Sequence, residues 1–254
     1  MPTTVSALLA LEDLRAGYDG EEKLHGISAA FRAGQLSIVI GRNGCGKSTL
    51  LKCAAGQLRP MSGSILLEGR PIDTLHRLER ARSVAYMPQS RLVPEIPVRQ
   101  LVMHSRYPHL AWGQRPRPED RRIAREALER VGLGDMASRC VHQLSGGERQ
   151  RAYIAMMLSQ QARIMLLDEP TIYLDLSGQF ELMDLLRQLA ASGVCVVAVL
   201  HDLSLAMRYA DQILMMNEGE RITQGTPDEV YASGCLESCF GIRVKRLEGH
   251  YLFL

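Results

Sequence analysis

The stretch GRNGCGKST, residues 41–49, constrains the fold more than any other part of the chain. It fits G-x-x-x-x-G-K-[ST] with Gly41, Gly46, Lys47 and Ser48. The apolar run LSIVI precedes it and LLKCAAG follows, so it reads as the turn between a buried strand and a helix. Glycines there let backbone N–H groups face inward around phosphates. Lys47 is placed to reach the β- and γ-phosphates of a nucleotide, and Ser48 to ligate Mg²⁺. Asn43, Gly44, Cys45 and Thr49 complete the loop and are expected to bind the nucleotide with it.

A second motif fits the same chemistry. IMLLDE, residues 164–169, reads as a buried strand ending in two acids. A carboxylate at the end of a core strand is unfavourable unless it meets a cation. Asp168 is placed to bind the Mg²⁺ of the nucleotide, and Glu169, aimed elsewhere, to polarise an attacking water. Together with the Lys47 loop, the pair points to a nucleotide hydrolase.

The pattern along the chain predicts an α/β fold. LLALEDLRAGY, LHGISAAF and QLSIVIG read as strands, followed by a helix from Gly46 to about Ala55. GSILLEG and RSVAYMPQ are further strands. Between roughly 95 and 160 the pattern becomes helical. PEDRRIAREALERVGL has apolar residues at helical spacing, with Glu119 and Asp120 in its first turn. After 160, RIMLLDEP, SGQFELMDLLRQLAAS, GVCVVAVLHD and LSLAMRYA alternate strand and helix, which implies a parallel sheet covered by helices. QILMMNEGERITQG reads as a hairpin turning at Asn217–Gly219, and TPDEV as a helix start capped by Thr226.

Composition closes off other classes. Apolar residues are 46%, charged residues 23% and the formal net charge is +2, so no strong pull toward nucleic acid follows. The longest apolar runs, such as VCVVAVL, are strand-sized and the N-terminal stretch has no secretory pattern. A membrane role therefore requires a partner to hold the chain there. The six cysteines, at 45, 53, 140, 195, 235 and 239, fit no zinc spacing and read as reduced thiols.

One polar run remains. LSGGERQR, residues 144–151, looks like a second helix start shaped to hold an anion, about a hundred residues after the first. With IMLLDEP after it, it resembles the signature sequence of ABC-type ATPases. The resemblance spans nearly the whole chain in the expected order. Tyr18 in RAGY matches the aromatic that stacks on adenine, Gln89 in YMPQ the Q-loop glutamine, Asp175 in TIYLD the D-loop aspartate, and His201 in VLHD the switch histidine. The resemblance implies a P-loop NTPase fold of the ABC ATPase type: one domain over 1–254 with a mixed sheet, N-terminal antiparallel strands and an inserted helical subdomain, 90–160, carrying the signature. It implies ATP and Mg²⁺ as ligands, the metal held by Ser48, Asp168 and Gln89. Lys47, Gln89, Glu169 and His201 take the catalytic roles.

In such proteins two copies close head to tail around ATP. Ser145, Gly146 and Gly147 of one copy then grip the nucleotide on the Lys47 loop of the other, so the two phosphate sites serve different nucleotides. The wording MHSRYPHL (103–110) and YLDLSGQ resembles ATPases of iron-chelate importers, the siderophore, haem and cobalamin group. Arg42 and Ile172 stand where that group commonly has Pro and a small residue. The expected partners are a second copy, integral-membrane permease subunits at the cytoplasmic face of the membrane and, indirectly, an external binding protein. Among Leu92, Val93, Ile96, Tyr107 and Trp112, some are expected to form the permease-docking groove and others the core of the helical insertion. A zinc or manganese importer and a soluble assembly ATPase are the alternative readings.

Overall fold

The computed structural model describes residues 7–111 and 113–254; residues 1–6 and Trp112 lie outside the described residues. Strands β1 (Leu9–Tyr18) and β2 (Glu21–Phe31) form an antiparallel hairpin. Its turn, Asp19–Gly20, has positive φ at both positions (52° and 85°), the conformation whose twist matches a two-residue hairpin. Strand β3 (Leu36–Gly41), buried along its length, runs into helix α1 (Lys47–Ala54). Strand β4 (Ser62–Leu67) pairs with β1, and the short β5 (Arg70–Pro71) with β4, giving an antiparallel sheet in the order β2-β1-β4-β5.

Helix α2 (Arg77–Ser83) leads into β6 (Val84–Met87). Three helices, α3 (Val98–His104), α4 (Pro118–Arg130) and α5 (Gly146–Gln160), stand between β6 and β7 (Ile164–Asp168). There follow α6 (Leu176–Ala191), β8 (Cys195–Val199), α7 (Leu203–Tyr209), β9 (Gln212–Asn217) and β10 (Glu220–Gly225). The chain ends in α8 (Pro227–Ala232), α9 (Cys235–Phe240) and the hairpin β11 (Val244–Leu247) with β12 (His250–Phe253).

The second sheet, in the order β10-β9-β3-β8-β7-β6, is parallel except for the edge strand β10. Its inner strands are apolar on both faces because both are covered. Leu36, Ile38 and Ile40 of β3 face the cluster built with helices α3–α7, while Val39 faces the cluster shared with α1 and the antiparallel sheet. Parallel strands place the ends of β3, β6, β7 and β8 at one edge, where ligands of such sheets bind. The two sheets are tied where His25 N donates to Gly219 O (2.8 Å) and Gln224 Nε2 to Ala30 O (2.7 Å).

The SRYPHL stretch has a structural role here. Arg106, 5% exposed, donates from Nε to Asp120 Oδ1 (3.0 Å) and from Nη1 to Ser159 O (2.8 Å) and Gln161 Oε1 (3.0 Å). Asp120 also accepts from Arg117 N at the start of α4 (3.0 Å), and His109 Nε2 lies 2.9 Å from Gln160 O. One buried guanidinium thus joins the segment after α3, the start of α4 and the end of α5. Burial opposes ionisation of Asp120, but the Arg117 N–H and the Arg106 guanidinium outweigh it and hold the carboxyl below its ordinary value. Asp120→Ala should lower stability by about 3–5 kcal/mol in denaturant unfolding, because it leaves the Arg106 charge buried and unpaired. Because the folded-state pKa is depressed, the Asp120 contribution is present above about pH 4 and is lost as pH falls below it. The unfolding difference between wild type and variant should therefore shrink in acid.

Candidate nucleotide-binding site

The loop between β3 and α1 wraps around the ammonium of Lys47. That side chain is 5% exposed and donates to Gly41 O (2.8 Å) and Arg42 O (2.9 Å). Gly46 has φ 99°, and a Cβ there would lie 2.7 Å from Leu24 Cδ2 and 2.9 Å from Lys23 O. At Gly41 a Cβ would come within 2.2 Å of Met216 O. Glycine at these two positions lets the loop close against β2 and β9.

The loop opens onto a cavity of about 350 Å³. Asn43, Gly44, Gly46, Lys47, Ser48 and Thr49 form one wall, and Tyr18, Gln89, Glu169 and His201 face them. Residues far apart in sequence are therefore gathered at the strand-end edge. Tyr18, 40% exposed at the end of β1, presents its ring with the Lys52 ammonium 5.5 Å from the centroid. Lys23 also lines the cavity. It lies within β2 in no motif, and only the hairpin geometry brings it there. Gly41 and Cys45 do not line it. Cys45 turns into the apolar cluster behind α1, where burial raises its thiol pKa.

Of the two acids at the end of β7, Glu169 borders the cavity and Asp168 lies behind Ser48 without lining it. Asp168, 2% exposed, accepts from Ser48 Oγ (3.2 Å), and burial raises its pKa. Glu169 has φ 52°, a conformation that costs an ordinary residue ~1–3 kcal/mol and is retained where it aims a functional group. The turn carries its carboxylate out of the strand direction. Oε2 accepts from Gln89 Nε2 (2.8 Å), and Oε1 lies 2.5 Å from His201 Nε2.

The signature residues lie elsewhere. Ser145 caps α5: its Oγ accepts from Glu148 N (3.3 Å), and Glu148 Oε2 accepts from Ser145 N (2.8 Å). Ser145 and Gly146 are exposed, and neither they nor Gly147 border the cavity of Lys47. Asp175 caps α6, accepting from Gly178 N (2.9 Å), also outside it. The structure thus gathers the loop of Lys47 with Glu169, Gln89 and His201, and leaves a second helix start outside that cavity.

Of the residues expected in an apolar cleft, Val93 borders a cavity of about 480 Å³ beside Arg91 and Tyr153. A groove of about 730 Å³ lies between α3 and α4, bordered by Met103, Ala124, Leu128 and Ala137 with charged residues at its rim. Ile96 packs into the core instead, Tyr107 stacks on His104, and Leu92 is 92% exposed beside the loop after β6. The reason is that α3 begins only at Val98, so the residues before it serve as a connection. Trp112 lies outside the described residues.

Fold and site together define a P-loop ATPase. The ABC transporter family description matches residues 24–172. The achromobactin transport ATP-binding protein CbrD of Dickeya dadantii is 40% identical over 91% of this chain and 86% of its own length. The ferric enterobactin transport ATP-binding protein FepC of Escherichia coli is 39% identical over 93% and 88%. Among solved structures, cbiO1 of Clostridium perfringens, part of the ABC transporter complex cbiONQ, superimposes with a TM-score of 0.79 at 31% identity, covering 92% of this chain and 94% of that one. The chain belongs to the ABC transporter family, as an ATP-binding subunit that hydrolyses ATP.

Lys47→Ala removes a charge-assisted contact worth about 1.5–3 kcal/mol, so ATP should bind about ten- to a hundredfold more weakly by fluorescent-nucleotide titration.

Proposed function

We propose that this chain powers uptake of an iron chelate, working as two head-to-tail copies on the cytoplasmic face of a membrane permease. The supporting observation for the mechanism is the pairing of Glu169 with both Gln89 and His201 at the edge of the Lys47 cavity. ATP placed on the loop brings its γ-phosphate toward those three groups. Glu169 then accepts the proton of the attacking water, while Gln89 and His201 turn to phosphate oxygens.

Asp168 has one hydroxyl partner, spare acceptor capacity and a burial that disfavours its charge, which suits a divalent cation beside Ser48. Gln89, at the same cavity, is the third residue assigned to hold Mg²⁺. Held by these residues, Mg²⁺ would supply neutralisation of phosphate charge. Ser145 and the N–H groups of Gly146 and Gly147 meet the nucleotide of the other copy. Their exposure, and their separation from the chain's own cavity, support that reading. Nucleotide bound by both copies stabilises the closed dimer over the open one.

Among the described residues no helix is long and apolar enough to cross a membrane, so the permease must supply the spans. The groove between α3 and α4 suits an apolar permease helix with polar flanks. The chelate assignment rests on the relatives named for achromobactin and ferric enterobactin, together with the SRYPHL stretch.

Glu169→Gln should bind ATP normally, abolish turnover and accumulate an ATP-bound dimer visible by size. Full residual hydrolysis would remove Glu169 from the base role. A deletion strain lacking redundant ATPases should fail to grow on a chelated iron source and recover with the wild-type gene but not with Glu169→Gln. Normal chelate uptake with failed zinc or manganese uptake would move the assignment to the free-metal importers.

A further inference from the structure

Outside the nucleotide cavity, the loop after β6 is fastened to α5 by Arg91 and Tyr153, which lie in no motif, and by Gln150 of the run 144–151. Arg91 Nη2 donates to Gln150 Oε1 at 2.5 Å, and its guanidinium lies 4.5 Å from the centroid of the Tyr153 ring. Arg91 Nη1 lies 3.1 Å from Met87 Sδ at the end of β6. Tyr153 Oη donates to Leu92 O at 2.5 Å. Gln150, 2% exposed, donates from Nε2 to Pro170 O. Pro170 follows Glu169 in the chain, and Glu169 accepts from Gln89.

With the backbone through Ser90 joining Gln89 to Arg91, these contacts close a circuit that runs from Glu169 to Pro170, Gln150, Arg91 and Gln89 and back to Glu169. Gln89 borders both the nucleotide cavity and a second cavity of about 480 Å³, which Arg91, Gln150 and Gly146 also border. A buried polar network with its members paired is stiff. The planar guanidinium is held on one side by an amide oxygen and on its face by a phenol ring, a combination a lysine cannot reproduce. When Gln89 leaves Glu169 for a phosphate, the circuit opens at that joint. Arg91 stays attached to Gln150, and Gln150 lies about one turn from Gly146 along α5. A shift of the loop after β6 therefore carries the start of α5 with it.

We propose that Arg91 is a positioning residue that passes the movement of Gln89, through Gln150, to the Ser145–Gly146–Gly147 face meeting the second copy's nucleotide. The proposal rests on the two-copy reading above. It makes one chain's ATP contact prepare that chain's grip on the other nucleotide.

The test uses the full chain carrying Glu169→Gln, with ATP and Mg²⁺, and reads dimer formation by sedimentation. Monomer affinity for a fluorescent ATP analogue and the melting temperature are measured in parallel. Adding Arg91→Ala should raise the ATP concentration needed for dimerisation at least about tenfold while monomer affinity stays within about twofold. The melting temperature should fall by no more than a few degrees, the size expected for losing one or two hydrogen bonds. Gln150→Ala should act alike, and the two together should lose no more than either alone, as expected for members of one coupled path. In the chain with Glu169 restored, Arg91→Ala should raise the KM for ATP hydrolysis about tenfold, in step with the dimerisation midpoint, while monomer affinity is kept. Undiminished dimerisation of the Arg91→Ala chain would overturn the proposal. So would a parallel loss of monomer ATP affinity and thermal stability, which would mark Arg91 as a structural residue. A Glu169→Gln chain that fails to dimerise by itself would instead overturn the two-copy reading, and this proposal with it.

Discussion

A buried ammonium organises the nucleotide site. Lys47 is almost wholly withdrawn from water, and its partners are the carbonyls of Gly41 and Arg42 rather than carboxylates. Two carbonyl dipoles accept two of its three N–H groups without cancelling its charge, so the loop keeps a net positive face ready for phosphate. That arrangement holds only if β3 is locked between β8 and β9, if Gly46 lies against β2, and if Gly41 lies against β9. The sheet, the hairpin and the loop are thus parts of one constraint. Opposite the ammonium, Asp168 and Glu169 stand at the end of the neighbouring parallel strand system. The cavity therefore has the Lys47 ammonium on its loop side and the Glu169 carboxylate on the facing side.

The same constraint explains why the second helix start is left open. Helix α5 runs back from the signature toward β7, and its C-terminal end is tied to α3 and α4 through Arg106 and Asp120. That places Ser145 and Gly146 on the surface, capped only by Glu148, away from the Lys47 cavity. An exposed helix N-terminus with two glycines can accept an anion only if one is brought to it. On the two-copy reading, a second nucleotide-loaded chain brings it.

Much of this was legible in the residues. The strand–loop–helix around Lys47, the strand ending in Asp168 and the hairpin β9–β10 carry strong local signals: inward-facing glycines, continuous apolar runs and a turn dipeptide. The caps of α5 and α8 were legible for the same reason, since Ser145 with Glu148 and Thr226 with Glu229 are spaced as capping boxes. Helix α2 was not, because it buries no residue and so has no apolar stripe to reveal it. The closing hairpin β11–β12 turns at Glu248–Gly249, both with positive φ, and that dipeptide was a usable signal. The Arg106–Asp120 pair and the Arg91–Gln150 contact were illegible for a deeper reason. Each joins segments whose proximity exists only after the helices pack, and an arginine in a polar stretch reads as solvated until then.

The central claim is that the two phosphate-facing sites of one chain act on two different nucleotides, and mixing two defective chains tests it most directly. One chain carries Lys47→Ala and the other Ser145→Arg, and each is confirmed inactive alone. In a head-to-tail pair one composite site then holds both lesions and the other holds none, so ATP hydrolysis should reappear on mixing. If both phosphate sites served the same nucleotide within one chain, every site in the mixture would carry a lesion, and a mixture as inactive as its components would contradict the account.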